Sequence, residues 1–446
     1  MTTHTQESPA PQAGLSPKAK PISPLPRARL VLIMLCFVYV INFICRQMPG
    51  VLAKPIEASL HITDGQFGMV TGLFFALFYT TISIPIGFLA DKTSRSKVLA
   101  VACAIWSGAT LACGLVTSYV QFAIAYVTVG FGEAGGVPPS YAIISDYFPP
   151  GRRGTALGIY NLGPAIGAAL AVAFGAYVAA RYSWELAFEA VGVVGIFAVI
   201  AILVIVREPP KGGLDKLTGL EAAPKASFWS TFANFFATPS LLLAALASGA
   251  TQFVTYGLGY FVVLFLEREK GMTPYEVASY YSLVLLFAMG GGMVVAGRAV
   301  DFFSKRAKQA YALVPATSLI FALPCYVIFV WEPVWSTSLL FLAGAAFLNY
   351  FYLSASVTLV QEEVRPDQRV MSGALLLMVM NFIGLGLGPT YVGAASDFFR
   401  VHGFAHNSLQ MALYSMVPFY FIAIFLFLWL SRVLKREALA EGAKSK

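Results

Sequence analysis

The sequence predicts an all-α membrane protein with twelve transmembrane helices in two pseudo-symmetric six-helix bundles. Three observations predict it. Of the 446 residues, 58% are hydrophobic and only 12% charged, with a mean hydropathy of +0.73; ordinary soluble domains carry roughly a quarter charged residues. Apolar runs of about twenty residues recur from Leu30 to Ser431, each long enough to cross the ~30 Å hydrocarbon layer as a helix. A barrel would show short alternating strands instead. Finally, the polar punctuation of the first half returns in the second.

Taken in order, residues 1–28 carry six prolines and small polar residues, with Lys18, Lys20, Arg27 and Arg29 before the first apolar run. This reads as a disordered cytoplasmic tail and not as a cleavable signal. The spans fall at 30–50, 66–90, 97–117, 120–147, 154–180, 186–206, 238–266, 275–300, 310–331, 335–360, 369–395 and 409–431. They group into a bundle over 29–206, a cytoplasmic linker over 207–237, a second bundle over 238–433 and a cytoplasmic tail over 434–446. Within the linker, the aromatic stretch Phe228 to Phe236 reads equally as an interfacial helix or as a loop end. Apart from Arg46, only Lys54, Arg181, Arg268, Lys270 and Arg400 of the 30 Lys and Arg residues fall on the face opposite the termini. The positive-inside rule then puts both termini in the cytoplasm. The net charge of +8 is spread over short loops and implies no nucleic-acid partner.

Cys36, Cys45, Cys103, Cys113 and Cys325 lie in apolar segments without paired metal-ligand spacing, and His4, His61, His402 and His406 lie in the tail or in loops. No metal or cofactor is expected, and proton chemistry at membrane depth is left to carboxylates. Glu133, about thirteen residues from either end of its span, stands near mid-membrane at the helical rise of ~1.5 Å per residue. It lies in the run Gly130-Phe-Gly-Glu-Ala-Gly-Gly-Val-Pro-Pro139, whose glycines suit close helix packing and whose prolines bend a helix.

The repeat is explicit. Gly87, Asp91 and Arg95 follow the second helix; Gly297, Asp301 and Arg306 follow the eighth. Arg152 and Arg153 precede the fifth helix; Arg365 and Arg369 precede the eleventh. Such repetition marks a two-fold transporter scaffold with its binding site between the repeats.

At these residues the chain resembles the major facilitator superfamily, from Arg29 to Arg436. Gly87, Asp91 and Arg95 match its best-known motif. Gly132-Glu133-Ala134 with Pro139, the connection from Asp146 to Arg153, and Asn42 with Arg46 resemble the spinster-type transporters; anion-cation symporters are next nearest. Two positions depart from the spinster pattern: Cys45 stands where an Asp is usual, and Tyr126 where an Arg is usual. The resemblance implies that the first and fourth helices face a central cavity, which makes Arg46 and Glu133 the expected proton-coupling pair, since two buried charges cost less together than apart. Burial and a nearby cation act oppositely on Glu133, so the position of Arg46 would decide its protonation.

Substrate contacts are expected from Arg46, Glu133 and Asn42, from Tyr126 and Tyr141, and from Gln252, Tyr256, Asn349 and Asn381; each of the uncharged residues could equally bond a neighbouring helix. Asp91, Arg95, Arg153, Asp301, Arg306 and Arg369 are the expected gating charges. The functional expectation is a proton-coupled secondary transporter of a small organic anion, working by alternating access in a bacterial inner membrane and as a monomer. An amphipathic lipid substrate and a non-transporting sensor or scaffold are the alternatives. An enzyme is not expected, for no phosphate loop or nucleophile with a suitably spaced base is present.

Overall fold

Helix after helix begins where a hydroxyl can satisfy the first free N–H groups. The side chains of Ser94, Ser118 and Ser183 accept from the backbone N–H groups of Lys97, Gln121 and Leu186, and Thr63 forms a reciprocal capping box with Gln66. The computed structural model describes residues 24–149, 152–209, 228–365 and 368–444. Most of the expected N-terminal tail and of the linker therefore lies outside the described residues.

Twelve helices are long and apolar enough to span a bilayer. They are α1 (Ala28–Val51), α2 (Asp64–Gly87, helical on to Lys92), α3 (Arg95–Cys113), α4 (Tyr119–Tyr147), α5 (Arg153–Arg181), α6 (Trp184–Ile205), α7 (Pro239–Arg268), α8 (Pro274–Ser304), α9 (Ala310–Trp331), α10 (Trp335–Glu363), α11 (Met371–Val401) and α12 (Ser408–Leu439). Among the described residues there are no strands. A short helix, Ala53–Leu60, follows α1 and ends at His61 in the left-handed conformation, φ 52°. Phe228–Ala237 is helical and packs on α7 and α11, which selects the helical reading of that stretch. The last helical segment runs on to Lys444, so the sequence expected as a tail continues α12 through good helix formers such as Ala438, Leu439 and Ala440.

Two six-helix bundles result. α3 packs on α4 and α6, and α1 on α5 and α6; α7 packs on α11 and α12, and α9 on α10 and α12. Side chains such as Ile33, Phe197, Val204 and Leu340 stay exposed on the outer flanks, as a helix facing lipid requires. The bundles meet along three seams, α2 with α11, α5 with α8, and α1 with α7. Two of these seams contain wide π-helical turns. Val70–Phe74 in α2 touches Phe382–Leu387 in α11, while Val277–Tyr281 and Leu285–Met289 in α8 lie against α5. Such turns leave an α-helix locally under-bonded and cluster where helices must adapt.

Several spans are broken. α4 stops at Glu133 and restarts at Val137, bridged by tight bonds from Gly135 N to Gly132 O and from Gly136 N to Glu133 O, both 3.0 Å. Pro138 and Pro139 open the second segment, where a missing N–H costs nothing. α5 breaks in the same way between Tyr160 and Gly163-Pro164. The glycines of α4 serve close packing as well. A methyl group on Gly132 would lie 2.5 Å from the Trp106 backbone nitrogen, and one on Gly135 2.6 Å from the Ala102 side chain.

Candidate functional site

The break in α4 leaves Glu133 at the end of a helical segment, and α1 brings Arg46 to it. Arg46 Nε and Nη2 both donate to Glu133 Oε2, at 2.7 and 2.6 Å. Both side chains are buried, and Glu133 Oε1 has no partner. The guanidinium also lies 4.6 Å from the ring centre of Tyr79, 5.1 Å from that of Phe43 and 5.6 Å from that of Phe75. An aromatic wall of this kind holds a cation that water has left.

Asn42, one helical turn before Arg46, is buried with neither its amide nitrogen nor its oxygen partnered. Tyr126 lies two turns before Glu133 on α4, where its hydroxyl donates to Arg46 O at 2.9 Å and faces the Tyr260 hydroxyl of α7 at 3.2 Å. That contact joins the two bundles and leaves Tyr126 wholly buried. Tyr256 is beside the Arg46 guanidinium. The remaining expected contact residues bond to neighbouring helices. Tyr141 donates to Asn161 Oδ1 at 2.8 Å, Gln252 Nε2 to Asn381 Oδ1 at 2.9 Å, and Asn349 Nδ2 to Tyr420 at 2.9 Å.

The expected gating charges lie at the ends of spans toward the terminal face. Arg95 pairs with Asp146 at the end of α4, inside its own bundle. Arg153 Nε donates to Phe148 O at 2.9 Å, and Arg306 stacks over Phe302. Asp301 and Arg369 are exposed, and the side chain of Asp91 lies outside the described residues. Glu208, which the sequence reading passed over, closes the start of α3: its carboxylate accepts from the backbone N–H groups of Arg95 and Ser96 and from the hydroxyls of Ser94 and Ser96. Burial works to raise its pKa, yet these donors hold it below the usual carboxylate value.

The sequence reading also passed over the face opposite the termini, where a second charged group joins the bundles. Arg268 of α7 donates to both oxygens of Asp64 at 3.0 and 2.9 Å and to Glu57 at 2.5 Å, and Arg400 of α11 donates to Asp64 at 2.6 Å. Asp397 Oδ2 accepts from Gly65 N at 2.9 Å. The backbones here are nearly in contact. A methyl on Gly68 would stand 2.3 Å from Pro389 O, and one on Gly393 2.2 Å from Asp64 O. Bonds between the bundles run from the Tyr126–Tyr260 contact beside Arg46 outward to this far face. A sequence signal did exist, for Arg268 and Arg400 stand on the face that is poor in basic residues, opposite Glu57 and Asp64.

Twelve spanning helices in two bundles, joined at one end, with a buried ion pair inside the first, are the architecture of a membrane transporter. The Major Facilitator Superfamily model matches residues 35–389, and the chain belongs to that superfamily. The chain is 28% identical over 365 residues to an MFS-type efflux pump of Mycolicibacterium smegmatis, covering 82% of this chain and 83% of the relative. It is 25% identical over 402 residues to protein spinster homolog 1 of Homo sapiens, covering 84% and 74%. A crystal structure of a bacterial homologue of the human lysosomal transporter Spinster, inward-facing and unoccupied, superposes with a TM-score of 0.82 at 28% identity, over 92% of this chain and 98% of that one. The chain is a spinster-like transporter of the superfamily.

Proposed function

We propose that this transporter moves a small organic anion by alternating access and couples that movement to protons through Arg46 and Glu133. The observation that carries the reading is the ion pair itself, in which both Arg46 donors fall on a single Glu133 oxygen. A carboxylate or phosphate of the solute competes for the same guanidinium, which suits bidentate recognition of either group. As the solute draws Arg46 away, Glu133 is left buried without its counter-charge and takes a proton, because a lone buried carboxylate is too costly to keep ionised. Return of Arg46 expels the proton. Asn42, Tyr126, Tyr141, Gln252, Tyr256, Asn349 and Asn381 contribute polar contacts as the cavity changes shape, and Asp91, Arg95, Arg153, Asp301, Arg306 and Arg369 bias the two-state equilibrium from the terminal face. That face is cytoplasmic in this reading, the membrane is a bacterial inner membrane, and one chain suffices.

A second reading, in which the solute is an amphipathic lipid, draws on one further observation. An apolar groove of about 330 Å³ opens on the flank of the first bundle, between Ile86, Leu89, Val101, Ile105 and Phe131, with Lys97 at its mouth. An acyl chain would fit those walls.

Uptake into proteoliposomes separates the two, using a panel of sugar acids and other carboxylates against single-chain phospholipids, each with and without an imposed pH gradient. The expected result is gradient-driven uptake of a carboxylate that becomes gradient-independent in Glu133→Gln. Uptake that ignores the gradient in the unaltered protein sinks the proton coupling, and flux of lipid alone transfers the assignment to the second reading.

A further inference from the structure

The charged group on the far face does not balance. Three carboxylates, Glu57, Asp64 and Asp397, meet two guanidinium groups, Arg268 and Arg400. Their shares are unequal. Asp64, 1% exposed, holds both guanidinium groups and the Ser396 hydroxyl, which donates at 2.5 Å. Asp397 has the Gly65 N–H and lies 3.6 Å from Arg400. Glu57, 7% exposed, receives one edge of Arg268 on Oε2, while its Oε1 is buried and unpartnered. A carboxylate in that position has one shared guanidinium on one oxygen and nothing on the other, whereas its acid form turns an oxygen into a donor beside Asp64.

We propose that Glu57 carries a proton while the far side of the transporter is closed and releases it to the far-side solvent as the bundles part, making this seam a proton-binding site separate from Glu133. It rests on alternating access but not on the identity of the solute. Opening separates the short helix Ala53–Leu60 from α7 and α11, so Glu57 leaves Arg268 and Asp64 for water, where a carboxyl group ionises in its ordinary range. In the closed state, burial and then the neighbouring Asp64 charge push Glu57 up to about 9 against the opposing pull of Arg268. The sign follows from linkage. A group whose pKa is higher in the closed state gives closure its full strength below the ordinary carboxylate range; that strength declines as pH rises and is lost by about 9. Far-side acid thus shuts the far gate and far-side alkali frees it.

Other charges near Glu57 have partners of their own, and His61, one turn later at the end of the same helix, is exposed. Lys54, one turn earlier on the same short helix, lies 4.0 Å from Glu267 of α7. Glu269 accepts from the backbone N–H groups of Leu409 and Gln410 at the start of α12. Lys270 donates to the carbonyls of Val330 and Glu332.

The test uses the full chain in lipid nanodiscs, its five cysteines replaced and spin labels attached at Leu115→Cys and Val334→Cys, in far-face loops of the two bundles. Electron–electron distance measurements then report the closed-to-open ratio. It should fall by up to about tenfold per pH unit between about pH 5 and pH 9 and level off above, the limit for one linked proton. Glu57→Gln should stay closed and flat across that range, while Glu269→Gln keeps the titration. A ratio that does not change with pH in the parent protein, or a Glu57→Gln variant that titrates like the parent, overturns the proposal. Should Glu57→Gln fail to fold, infrared spectra of the parent decide. A carboxylic-acid carbonyl band present near neutral pH and gone by about pH 10 supports the site, and its absence at neutral pH overturns it.

Discussion

The two ends of the molecule use the same residue types for opposite purposes. On the far face, Gly65, Gly68, Gly72 and Gly393 let backbones from different bundles touch, and an added methyl would fall 2.2 to 2.6 Å from an atom of the other bundle. Toward the terminal face, Gly87, Gly154, Gly158 and Gly297 have open space where a methyl would go. Charges follow the same division. Arg268 and Arg400 cross from one bundle to the other, while Arg95 is held by Asp146 of its own bundle and Lys308 pairs with Glu363 2.8 Å away within the second. The far face is a closed door, and on the terminal side these two pairs each lie within a single leaf of it. Arg46 and Glu133 stand between the two regions, at the inner limit of the sealed part, where a change in either one's partner is felt by both ends.

The largest disturbance of this division should come from Arg46→Ala. It leaves Glu133 buried without a counter-charge, a change that costs about 3–5 kcal/mol, and should lower the thermal unfolding temperature of the purified protein sharply. A compensating Arg46→Met with Glu133→Leu should recover most of that loss while leaving proton coupling absent; failure to recover stability would mean that the pair does more than neutralise itself. Next in size, Gly68→Val should wedge α2 from α11. The collision with Pro389 O cannot be relieved by a side-chain rotation, and overpacking of this kind costs about 1–3 kcal/mol. Cysteine probes placed on the far-face halves of α2 and α11 should become reactive, whereas Gly158→Val, toward the terminal face, should leave them protected. Equal reactivity in the two variants would erase the contrast between the ends. The smallest effect should come from Glu208→Gln at the start of α3, about 0.5–1 kcal/mol for a weakened helix cap. Because Glu208 is held below the usual carboxylate value, its contribution is present above that range and fades as pH falls through it. The stability gap between the parent and Glu208→Gln, followed by thermal unfolding, should therefore close on acidification.

Much of this arrangement is legible from sequence because lipid makes its rules simple. Backbone groups must bond within each span, so hydropathy alone locates twelve helices, and a lone charge at mid-membrane calls for an opposite one, so Glu133 points to Arg46 across 87 positions. The far-face cluster obeys no such local rule. Glu57, Asp64, Arg268 and Arg400 sit at helix ends, where charges are ordinary, and their meeting depends on which ends the two bundles bring together. Arg95 teaches the same point from the other direction. It is expected among the gating charges, and it pairs with Asp146, at the end of the span beside it. The break in α4 is written in Gly135, Gly136, Pro138 and Pro139, but the same letters also spell close packing, and the structure uses them for both.

The wide turns in α2, α8 and α11 add a last consequence. Each holds one residue more than a regular helical cylinder needs, so these spans carry spare length at the seams where the bundles meet. Moving such a turn along its helix re-aims each side chain it passes by about 100° without lengthening or unwinding the rod. A seam built this way can present a different set of residues to its neighbour while its ends stay anchored, much as a zipper changes what it joins by moving its slider rather than its tape.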